Sequence, residues 1–570
     1  MKEIYGKYFK EELDEKGNLK DVKFTYNENF NFSYDILDEI AKKYPEDLAL
    51  IWCDDFGNEE KITFKQMSVM SNRVANFFID NGVKRGDFVL IILKRNFEFW
   101  FILHALSKIG AIAVPATHML SYMDLKYRIE FARIKFLIFV NEDDISKRIL
   151  EVLASVDEKI KLFSTRGSVG NSLDIFANID KYSPFLERIT TYVNEPMLSY
   201  FTSGTTGFPK LVQHCYTYPL AHIITAKYWQ KVRRGGIHLT VSDTGWAKSA
   251  WGKLYGQMAI GSAVMVYDYV KFNPKKMLDV IEKYSVTTFC APPTIYRFFI
   301  KEGLLDSNIS CLEYATTAGE VLNPEIISQF KKITGLSIMV GFGQTETALV
   351  MFNEDESKER IGSIGKVSPL YDVVLLDEKG NRVKPNEEGE ICIKFEKERQ
   401  NVGLFMGYYN NLKANQYALR DGVYHTGDIA FCDDDGCYWY VGRKDDIIKS
   451  SGYRIGPFEV ESVLVEHPAV LECGVVGVYD EIRGQIVKAN VVLTKDFSPS
   501  EKLSKELQDF VKKRTAPYKY PRIIEFMDSL PKTISGKIKR KTLRENHDED
   551  CFNILNLEKN IVKKPYYNGD

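Results

Sequence analysis

A loop rich in glycine and hydroxyl side chains, and ending in a lysine, follows the apolar run at residues 197–201. Its residues are Thr202, Ser203, Gly204, Thr205, Thr206, Gly207, Phe208, Pro209 and Lys210. Glycines permit a tight turn that brings backbone N–H groups close to an anion, and Lys210 adds a positive charge. The pattern predicts a strand that leads into a phosphate-binding loop with a nucleotide as its ligand. An ordinary surface loop is the alternative interpretation.

The loop does not match the P-loop of kinases and NTPases. That motif has four residues between its glycines and a Ser or Thr after its lysine. Here Gly204 and Gly207 are closer together, and Leu211 follows Lys210. The loop instead resembles the phosphate loop of the adenylate-forming superfamily, which includes acyl-CoA synthetases, nonribosomal adenylation domains and firefly luciferase.

Four further segments occur in the order that this family requires. They are GFGQTE at 341–346, YHTGD at 424–428, GRKDD at 442–446 leading into SGYR at 451–454, and PKTISGK at 531–537. Two weaker segments, SDTGW at 242–246 and PATH at 115–118, resemble the branch of acetyl-CoA and medium-chain acyl-CoA synthetases. The resemblance spans most of the chain. It implies an α/β fold with a large N-terminal domain of parallel or mixed sheets covered by helices, and a small, mobile α+β C-terminal domain.

The composition excludes several classes of protein. The 570 residues include 76 basic and 78 acidic ones, so no overall electrostatic field attracts nucleic acid or an anionic membrane. The apolar stretch at 99–114 is interrupted by charge and glycine, which predicts a buried helix and a strand rather than a membrane span. The nine cysteines show no disulfide-like framework, which fits a cytoplasmic protein. Cys432 and Cys437 flank a turn, and zinc at this pair is disfavoured.

Short β-rich runs alternate with helical patterns between residues 88 and 341, which predicts parallel sheets covered by helices. The runs are 88–93, 136–140, 263–266, 287–290 and 337–340. Ligands in such sheets bind beyond the carboxyl ends of strands. Because Gly204 and Gly343 both follow strands, we expect their loops to lie close together.

The pattern of predicted helices and strands changes after about residue 445, which indicates a second, smaller unit. We expect a helix near 457–466, strands near 472–478 and 487–493, and then a helix capped by Ser498, with Pro499 first and Glu501 completing a capping box. The resemblance implies domains at 1–444 and 445–570 with a hinge at Asp445. The polar residues beyond 545 are expected to form a surface tail.

The reaction implied by the resemblance has two halves. A carboxylate attacks the α-phosphate of MgATP to give acyl-AMP and pyrophosphate, and the thiol of coenzyme A then displaces AMP. Glu346 would bind Mg²⁺, and Lys537 would reach the carboxylate and α-phosphate. The β- and γ-phosphates would be held by the loop residues Thr202, Ser203, Gly204, Thr205, Thr206, Gly207 and Lys210. The alternative roles are an exposed loop glutamate for Glu346 and a solvated lysine in a basic tail for Lys537.

The resemblance also assigns residues to the rest of the nucleotide. Asp428 would hold both ribose hydroxyls, unless it merely ends the turn at Gly427, and Arg443 would contact the ribose or a phosphate. Gly319, Glu320, Val321 and Phe342 would enclose the adenine, with stacking on Phe342. The remaining residues assigned to ATP are Gly341, Gly343, Gln344 and Thr345.

Coenzyme A and the acyl group are assigned to two further sets. The coenzyme A set is Ser451, Gly452, Tyr453, Arg454, Arg483 and Arg514. The acyl pocket set is Trp246 and Gly343. Acetyl-specific relatives have a tryptophan just before the Gln-Thr-Glu segment, whereas this chain has Gly343, so we expect an open pocket floor with residues 246–255 along its sides. This favours propionate to medium-chain acids, and aromatic acids remain possible.

The expected function is therefore that of a cytosolic, AMP-forming acyl-CoA synthetase for short-to-medium-chain acids. Two alternatives stay open at this point. One is a stand-alone adenylation enzyme that loads a carrier protein. The other is a nucleotide-binding regulator that lacks catalysis, against which the presence of Lys537, Glu346 and Asp428 argues.

Overall fold

The computed structural model describes residues 1–157, 159–202, 209–301, 303, 309–319, 322–354, 360–395, 401–451, 453–533, 536–545 and 552–553. The chain forms two compact units. The N-terminal unit comprises Met1–Leu322, Ile326–Asp372 and Lys394–Tyr424, and the C-terminal unit comprises Asn323–Glu325, Val373–Ile393 and His425–Asp570. The α/β fold class is confirmed. The predicted domain division at Asp445, its hinge and the mobility of the part that follows all stay predictions.

One sheet of the N-terminal unit contains eight strands in its described part. Their spatial order is Gly407–Tyr408, Lys210–Cys215, Pro196–Thr202, Ile112–Pro115, Phe88–Ile92, Phe136–Val140, Lys161–Thr165 and Leu173–Asp174. The strands from Pro196–Thr202 to Leu173–Asp174 run parallel to their neighbours, and the first two join antiparallel. The central strands are apolar and buried, as is usual when helices cover both faces of a parallel sheet.

A second sheet of this unit contains nine strands over the described ranges. Their order is Lys366–Val367, Met351–Phe352, Ile338–Phe342, Tyr314–Ala318, Thr288–Cys290, Ile237–Thr240, Ala263–Asp268, Leu48–Asp54 and Glu59–Thr63. The strands from Ile338–Phe342 to Leu48–Asp54 are parallel. A separate hairpin pairs Phe9–Leu13 with Leu19–Phe24. The five β-rich runs predicted from sequence all form strands, with ends shifted by at most two residues.

Two smaller sheets belong largely to the C-terminal unit. One has the order Val373–Leu376, Gly389–Lys394, Val423–Cys432 and Tyr438–Arg443. The other has the order Tyr453–Ile455, Ile448–Ser450, Gly484–Leu493, Ile523–Phe526 and Phe552–Asn553, and Val470–Asp480 also pairs with Gly484–Leu493. Cys432 and Cys437 flank the turn between two paired strands, as predicted.

Helices cover these sheets. The α-helices are Lys2–Tyr5, Glu39–Lys43, Phe64–Asp80, Glu98–Ile109, Tyr122–Ala132, Asp143–Leu153, Tyr218–Ile224, Gly256–Ile260, Pro274–Lys283, Pro293–Lys301, Pro324–Thr334, Leu412–Ala418, Pro457–Val465, Glu501–Arg514 and Arg540–Glu545. Ser33–Asp38, Thr225–Trp229 and Ala250–Leu254 are π-helical, and Ile179–Lys181 is a 3-10 turn. None of the described helices has the length and apolarity needed to cross a bilayer.

The predicted start of one helix is wrong. Helix Glu501–Arg514 has Ser500 as its N-cap, and the Ser500 side chain accepts a hydrogen bond from the backbone N–H of Leu503. The predicted cap, Ser498, and Pro499 therefore both precede the helix. Ser498 precedes Pro499 and Ser500 follows it. The sequence pattern did not show which serine is the N-cap, because the residue after each of them suits the first turn of a helix.

Candidate active site

The described ends of the phosphate loop lie opposite each other on a hairpin. Thr202, at the end of Pro196–Thr202, pairs with Lys210, at the start of Lys210–Cys215. The pairing fixes where the loop leaves and re-enters the sheet. Ser203, Gly204, Thr205, Thr206 and Gly207 lie outside the described residues, and their assignment to ATP stays a prediction.

Lys210 and Glu346 both contact Tyr408. The Lys210 Nζ atom lies 4.7 Å from the centroid of the Tyr408 ring, and the Tyr408 hydroxyl donates a 2.8 Å hydrogen bond to Glu346 Oε1. Tyr408 is buried on the short strand Gly407–Tyr408, which pairs with Val212. A cation on a ring face and a carboxylate at the ring hydroxyl are thereby held near one another. Sequence analysis missed Tyr408, since an edge-strand tyrosine outside any motif gives no signal.

A buried histidine joins the same two segments. His214 donates its Nε2–H to the carbonyl oxygen of Thr345 at 2.8 Å, and its ring stacks on Tyr218 with centroids 3.8 Å apart. Burial lowers the pKa of His214 to about 4, so the ring is neutral at pH 7 and needs one donor hydrogen on Nε2. The strand that follows the phosphate loop therefore contacts the segment that follows Gly343. Gly204 lies outside the described residues, so the closeness of the two loops stays a prediction.

The other residues predicted to hold the nucleotide in this unit follow strand ends. Gly341 and Phe342 end the strand Ile338–Phe342, and Gln344 Oε1 accepts a 2.6 Å hydrogen bond from the Tyr424 hydroxyl. Gly319 follows Tyr314–Ala318 with φ of +99°, a backbone conformation that favours glycine. Glu320 and Val321 lie outside the described residues. The adenine-binding role of these residues stays a prediction.

The space beside Gly343 is filled rather than open. A Cβ atom on Gly343 would lie 2.3 Å from Cη2 of Trp251, and a Cβ atom on Gly341 would lie 2.6 Å from Cε2 of Trp229. The two indoles pack edge to face with centroids 6.2 Å apart. The expectation of an open floor at Gly343 is therefore wrong in this respect: Trp251, which belongs to the predicted lining at 246–255, occupies the space that a larger residue at 343 would need.

Trp246, the other residue assigned to the acyl pocket, lies half-buried in the loop after Ile237–Thr240. Over the residues that the structure describes, no hydrogen bond or ring contact joins Trp246 to Gly343. Its place in the pocket stays a prediction, whereas the contact between Trp251 and Gly343 is direct.

Asp428 is held on two sides within the C-terminal unit. Its Oδ1 atom accepts a 2.9 Å hydrogen bond from the Tyr440 hydroxyl, and its Oδ2 atom lies 3.4 Å from Arg443 Nη1. Loss of solvent and the neighbouring Asp428 carboxylate keep the pKa of Tyr440 well above its ordinary value, so this hydroxyl stays a donor. Asp428 and Arg443 face each other across two strands. Sequence analysis predicted both residues and missed Tyr440.

Lys537 is exposed on a turn. Gly536 has φ of +88°, the backbone N–H of Thr533 donates to the Lys537 carbonyl at 2.7 Å, and the Lys537 N–H donates to Thr533 Oγ1 at 3.1 Å. Helix Arg540–Glu545 follows, and its Arg540 and Arg544 side chains form ion pairs with Asp446, the residue next to Asp445. The Lys537 turn is thus tied to the segment that contains the predicted hinge.

The coenzyme A set divides into separate parts of the C-terminal unit. Ser451 donates its N–H to the Arg483 carbonyl at 2.9 Å, so these two residues are neighbours. Tyr453 is half exposed and stacks on Tyr518 with centroids 4.0 Å apart. Arg454 binds Glu378, and Arg514 lies on Phe510 beside Glu466. No contact within the described part of the chain joins Arg514 to the others, and Gly452 lies outside it.

One group of described residues has the ligand types of a metal site. It comprises Glu390, Cys392 and His425, whose ligand atoms lie within 4.8 Å of one another. Lys444 Nζ donates to Glu390 at 2.9 Å, and the backbone N–H of Gly427 donates at 3.1 Å. Although burial acts in the opposite direction, the hydrogen bonds from Lys444 and His425 hold the pKa of Glu390 below its ordinary value. An internal cation already satisfies this carboxylate, which disfavours a metal there.

Comparison with known proteins places the chain in a family. The profile described as AMP-binding enzyme matches residues 37–409, and the profile described as AMP-binding enzyme C-terminal domain matches residues 459–537. The first match alone covers more than half of the chain. The protein belongs to the family of AMP-binding enzymes.

Relatives agree over almost the whole length. The chain is 40% identical to the mitochondrial acyl-coenzyme A synthetase ACSM4 of Homo sapiens over 527 residues, which is 91% of this chain and 90% of the relative. It is also 40% identical to 4-hydroxybutyrate–CoA ligase 1 of Metallosphaera sedula, covering 91% of each chain. Among solved structures, the anthranilate CoA ligase AuaEII in complex with anthranoyl-AMP has a TM-score of 0.83 and 27% identity, covering 91% of this chain and 97% of that one.

Proposed function

We propose that this protein is an ATP-dependent, AMP-forming acyl-CoA synthetase that acts on short-to-medium-chain carboxylic acids. The observation that carries the proposal is the contact of Lys210 and Glu346 with one tyrosine, Tyr408, in a member of the AMP-binding enzyme family. That arrangement brings together a cation for phosphate oxygens and a carboxylate beside the phosphate loop. The relatives named as CoA ligases support the second half of the reaction.

In the first half-reaction, two anions must approach each other. A carboxylate oxygen of the acid attacks the α-phosphorus of ATP, an oxygen–phosphorus bond forms, and pyrophosphate leaves with the electron pair of the broken bond. Lys210 and Lys537 supply positive charge that offsets the repulsion in the transition state. Asp428 accepts hydrogen bonds from the ribose hydroxyls, and its contacts with Tyr440 and Arg443 fix its orientation before ATP binds.

Glu346 has the chemistry of a Mg²⁺ ligand. One of its oxygens accepts from Tyr408, and a carboxylate is the hard oxygen donor that Mg²⁺ prefers. We propose that Glu346 holds the ion with the phosphates of ATP, where the metal would neutralise phosphate charge.

In the second half-reaction, the sulfur of coenzyme A attacks the carbonyl carbon of acyl-AMP and AMP leaves. The proposed contacts with coenzyme A come from Ser451, Gly452, Tyr453, Arg454, Arg483 and Arg514. Arg454 and Arg514 each form an ion pair with a glutamate, which coenzyme A would have to displace or share. We propose a cytosolic location, which the spacing of the nine cysteines supports, since it is not that of a disulfide framework.

The acid is proposed to be apolar and of limited length. The indole of Trp251 against Gly343 sets a wall of aromatic carbon on one side of the predicted pocket. A preference for propionate to medium-chain acids fits such a wall. Each additional methylene of the acyl chain gains binding energy only while the pocket has space to bury it.

A pyrophosphate-release assay tests the proposal. ATP, Mg²⁺ and acids from acetate to octanoate, together with benzoate, are supplied with and without coenzyme A. We expect acid-dependent pyrophosphate release and formation of acyl-CoA only when coenzyme A is present. Release of pyrophosphate with an acyl-AMP that coenzyme A cannot discharge would indicate a carrier-loading enzyme. No release with any acid would indicate a regulator.

A further inference from the structure

Two loops of the N-terminal unit, PATH at 115–118 and SDTGW at 242–246, pack directly against each other. A Cβ atom on Gly245 would lie 2.2 Å from both the carbonyl carbon of Ala116 and the amide nitrogen of Thr117. The first loop follows strand Ile112–Pro115, and the second follows Ile237–Thr240, which belongs to the other sheet. The carboxyl ends of two sheets therefore meet here, which is where ligands of α/β proteins bind.

The junction contains a histidine and an aspartate with complementary buried atoms. His118 Nδ1 lies 3.3 Å from Asp243 Oδ2, and the side chains are 22% and 3% exposed, respectively. Both atoms are shielded from solvent, and among the described residues neither makes a hydrogen bond, so each is an unsatisfied polar atom that lies 3.3 Å from the other. Asp243 Oδ1 is already used, because it accepts the Gly245 N–H at 2.8 Å.

A hydrogen bond between these two unsatisfied atoms would decide which nitrogen of His118 carries hydrogen. A carboxylate oxygen can only accept, so such a bond requires the hydrogen on Nδ1. Nε2 would then carry the lone pair, which is the arrangement of a general base oriented by a carboxylate. The backbone is fixed as well, since Arg148 Nη1 donates to the His118 carbonyl at 2.8 Å and to the Leu120 carbonyl at 3.0 Å.

Other charged groups surround the pair. Arg95 Nη1 lies 3.9 Å from Asp243 Oδ2, and Arg95 Nε lies 3.6 Å from Asp268 Oδ1. Lys253 donates to the Ser242 carbonyl at 2.7 Å, and burial lowers the pKa of Lys253 to about 7. Arg95 therefore places a cation within 4 Å of both the Asp243 and the Asp268 carboxylates.

The loop that carries Asp243 reaches the predicted nucleotide segments. Ser249 Oγ lies 3.2 Å from the hydroxyl of Tyr200, on the strand that ends at Thr202. Lys248 Nζ donates to the Ala318 carbonyl at 2.8 Å, immediately before Gly319. The same loop contains Trp246. The pair thus belongs to a loop that contacts the strands leading into the phosphate and adenine segments.

We propose that His118 accepts the proton of the coenzyme A thiol during thioester formation, and that Asp243 orients it; the proposal rests on the proposed acyl-CoA synthetase function. His118 Nε2 takes the thiol proton while the sulfur forms a bond to the acyl carbonyl carbon. The bond from that carbon to the phosphate oxygen breaks, and AMP leaves as an anion with the electron pair. The products are acyl-CoA, AMP and a protonated His118, which then returns its proton to water.

The two half-reactions are measured separately in His118→Gln. Pyrophosphate release reports the first, and discharge of supplied butyryl-AMP by coenzyme A reports the second. We expect discharge at pH 7 to fall about a hundredfold, the usual contribution of a general base, while pyrophosphate release stays within twofold. Asp243→Asn should show the same selectivity with a loss of roughly tenfold or more. His467→Gln, which removes a histidine paired with Glu506 in the C-terminal unit, is the matched control and should leave both rates unchanged.

The pH dependence of the discharge rate distinguishes a general base from a residue that only supports the local structure. Without the base, discharge depends on the pre-formed thiolate, so the rate of His118→Gln should rise nearly tenfold per pH unit up to about pH 8.5 and approach the wild-type rate there. The wild-type rate should depend less steeply on pH over the same range. A loss in His118→Gln that is equal at every pH, equal losses in both half-reactions, or discharge within threefold of wild type at pH 7 would each overturn the proposal. Failure of the wild type to discharge butyryl-AMP would instead refute the proposed function.

Discussion

Asp428 and Lys537 are assigned to the same nucleotide, yet the C-terminal unit holds them in opposite ways. Asp428 is 4% exposed and contacts both Tyr440 and Arg443. Lys537 is exposed, and among the described residues its ammonium group contacts no carboxylate, while its backbone is fixed by Thr533. A group that must orient a ligand throughout the reaction is held before the ligand arrives. A cation needed in one step is left free to approach and leave.

Glu346 and Gly343 in the N-terminal unit resemble Asp428 in this respect. Tyr408 holds Glu346, and Trp251 fills the space beside Gly343. In each case the motif residue is fixed by an aromatic side chain from outside the motif. We therefore expect mutation of an aromatic partner to change ATP binding or acid preference by a moderate amount. Mutation of Lys537 should instead remove one chemical step, the adenylation.

The largest effect is expected for Lys537→Ala. Loss of a cation that acts on the transition state should reduce acid-dependent pyrophosphate release on the order of a hundredfold or more, with little change in ATP binding. Pre-steady-state pyrophosphate release measures the first quantity and equilibrium titration with ATP the second. Lys539→Ala is the control, because it removes an exposed lysine two residues away. If Lys537→Ala adenylates at nearly the wild-type rate, as Lys539→Ala is expected to, Lys537 is an ordinary surface lysine.

A smaller effect on a different quantity is expected for Asp428→Ala. Hydrogen bonds between a carboxylate and ribose hydroxyls contribute about 1.5–3 kcal/mol, so the Kd for ATP should rise roughly tenfold to a hundredfold. Calorimetric titration with ATP measures this directly. An unchanged Kd would leave Asp428 as a residue that only ends the turn at Gly427.

Tyr440→Phe should give a graded version of that result. The variant keeps the ring and removes only the hydroxyl that donates to Asp428 Oδ1. Loss of one hydrogen bond to a charged group that solvent or Arg443 can partly replace should cost about 1 kcal/mol, which is about fivefold in the Kd for ATP. If Tyr440→Phe binds ATP as weakly as Asp428→Ala, the carboxylate depends on its partner completely. No change would show that the hydroxyl does not orient Asp428.

The smallest effect, counted per methylene of the acid, is expected for Trp251→Ala, which removes the indole beside Gly343. Each methylene that enters the vacated space is worth roughly 0.8 kcal/mol, about fourfold in kcat/KM. Preference should therefore shift toward acids longer than those that the wild type uses best, by about fourfold per carbon, while the Kd for ATP stays constant. Trp229→Ala, at the neighbouring indole beside Gly341, tests whether the effect requires contact with Gly343. A chain-length series identical to wild type would remove Trp251 from the acyl pocket.

Much of this arrangement could be predicted from the sequence. Strands such as 136–140 follow from local apolar runs, and the rule for strand ends explains why the candidate residues near Thr202 and Gly343 lie where strands end. Asp428, Arg443 and Glu346 came from motifs whose residue types suit their chemistry. These are features that a short window of sequence contains.

The remaining features depend on contacts between distant segments. Tyr408 and Glu346 are 62 positions apart, and Trp251 meets Gly343 from another element, so no local pattern connects them. The open floor expected at Gly343 was wrong for this reason, because the size of a space depends on all the residues around it. The cap at Ser500 was missed for a local reason: both serines beside Pro499 suit an N-cap, and the fold selects one.

The most direct test of the central claim is single-turnover discharge of supplied butyryl-AMP by coenzyme A in Lys537→Ala. The claim is that Lys537 serves only the first half-reaction, whereas Asp428, with its fixed partners, serves both. We expect Lys537→Ala to form acyl-CoA from butyryl-AMP within about threefold of the wild-type rate, although it no longer makes butyryl-AMP from butyrate and ATP. A loss of discharge as large as the loss of adenylation would contradict it, and would place Lys537 in both half-reactions.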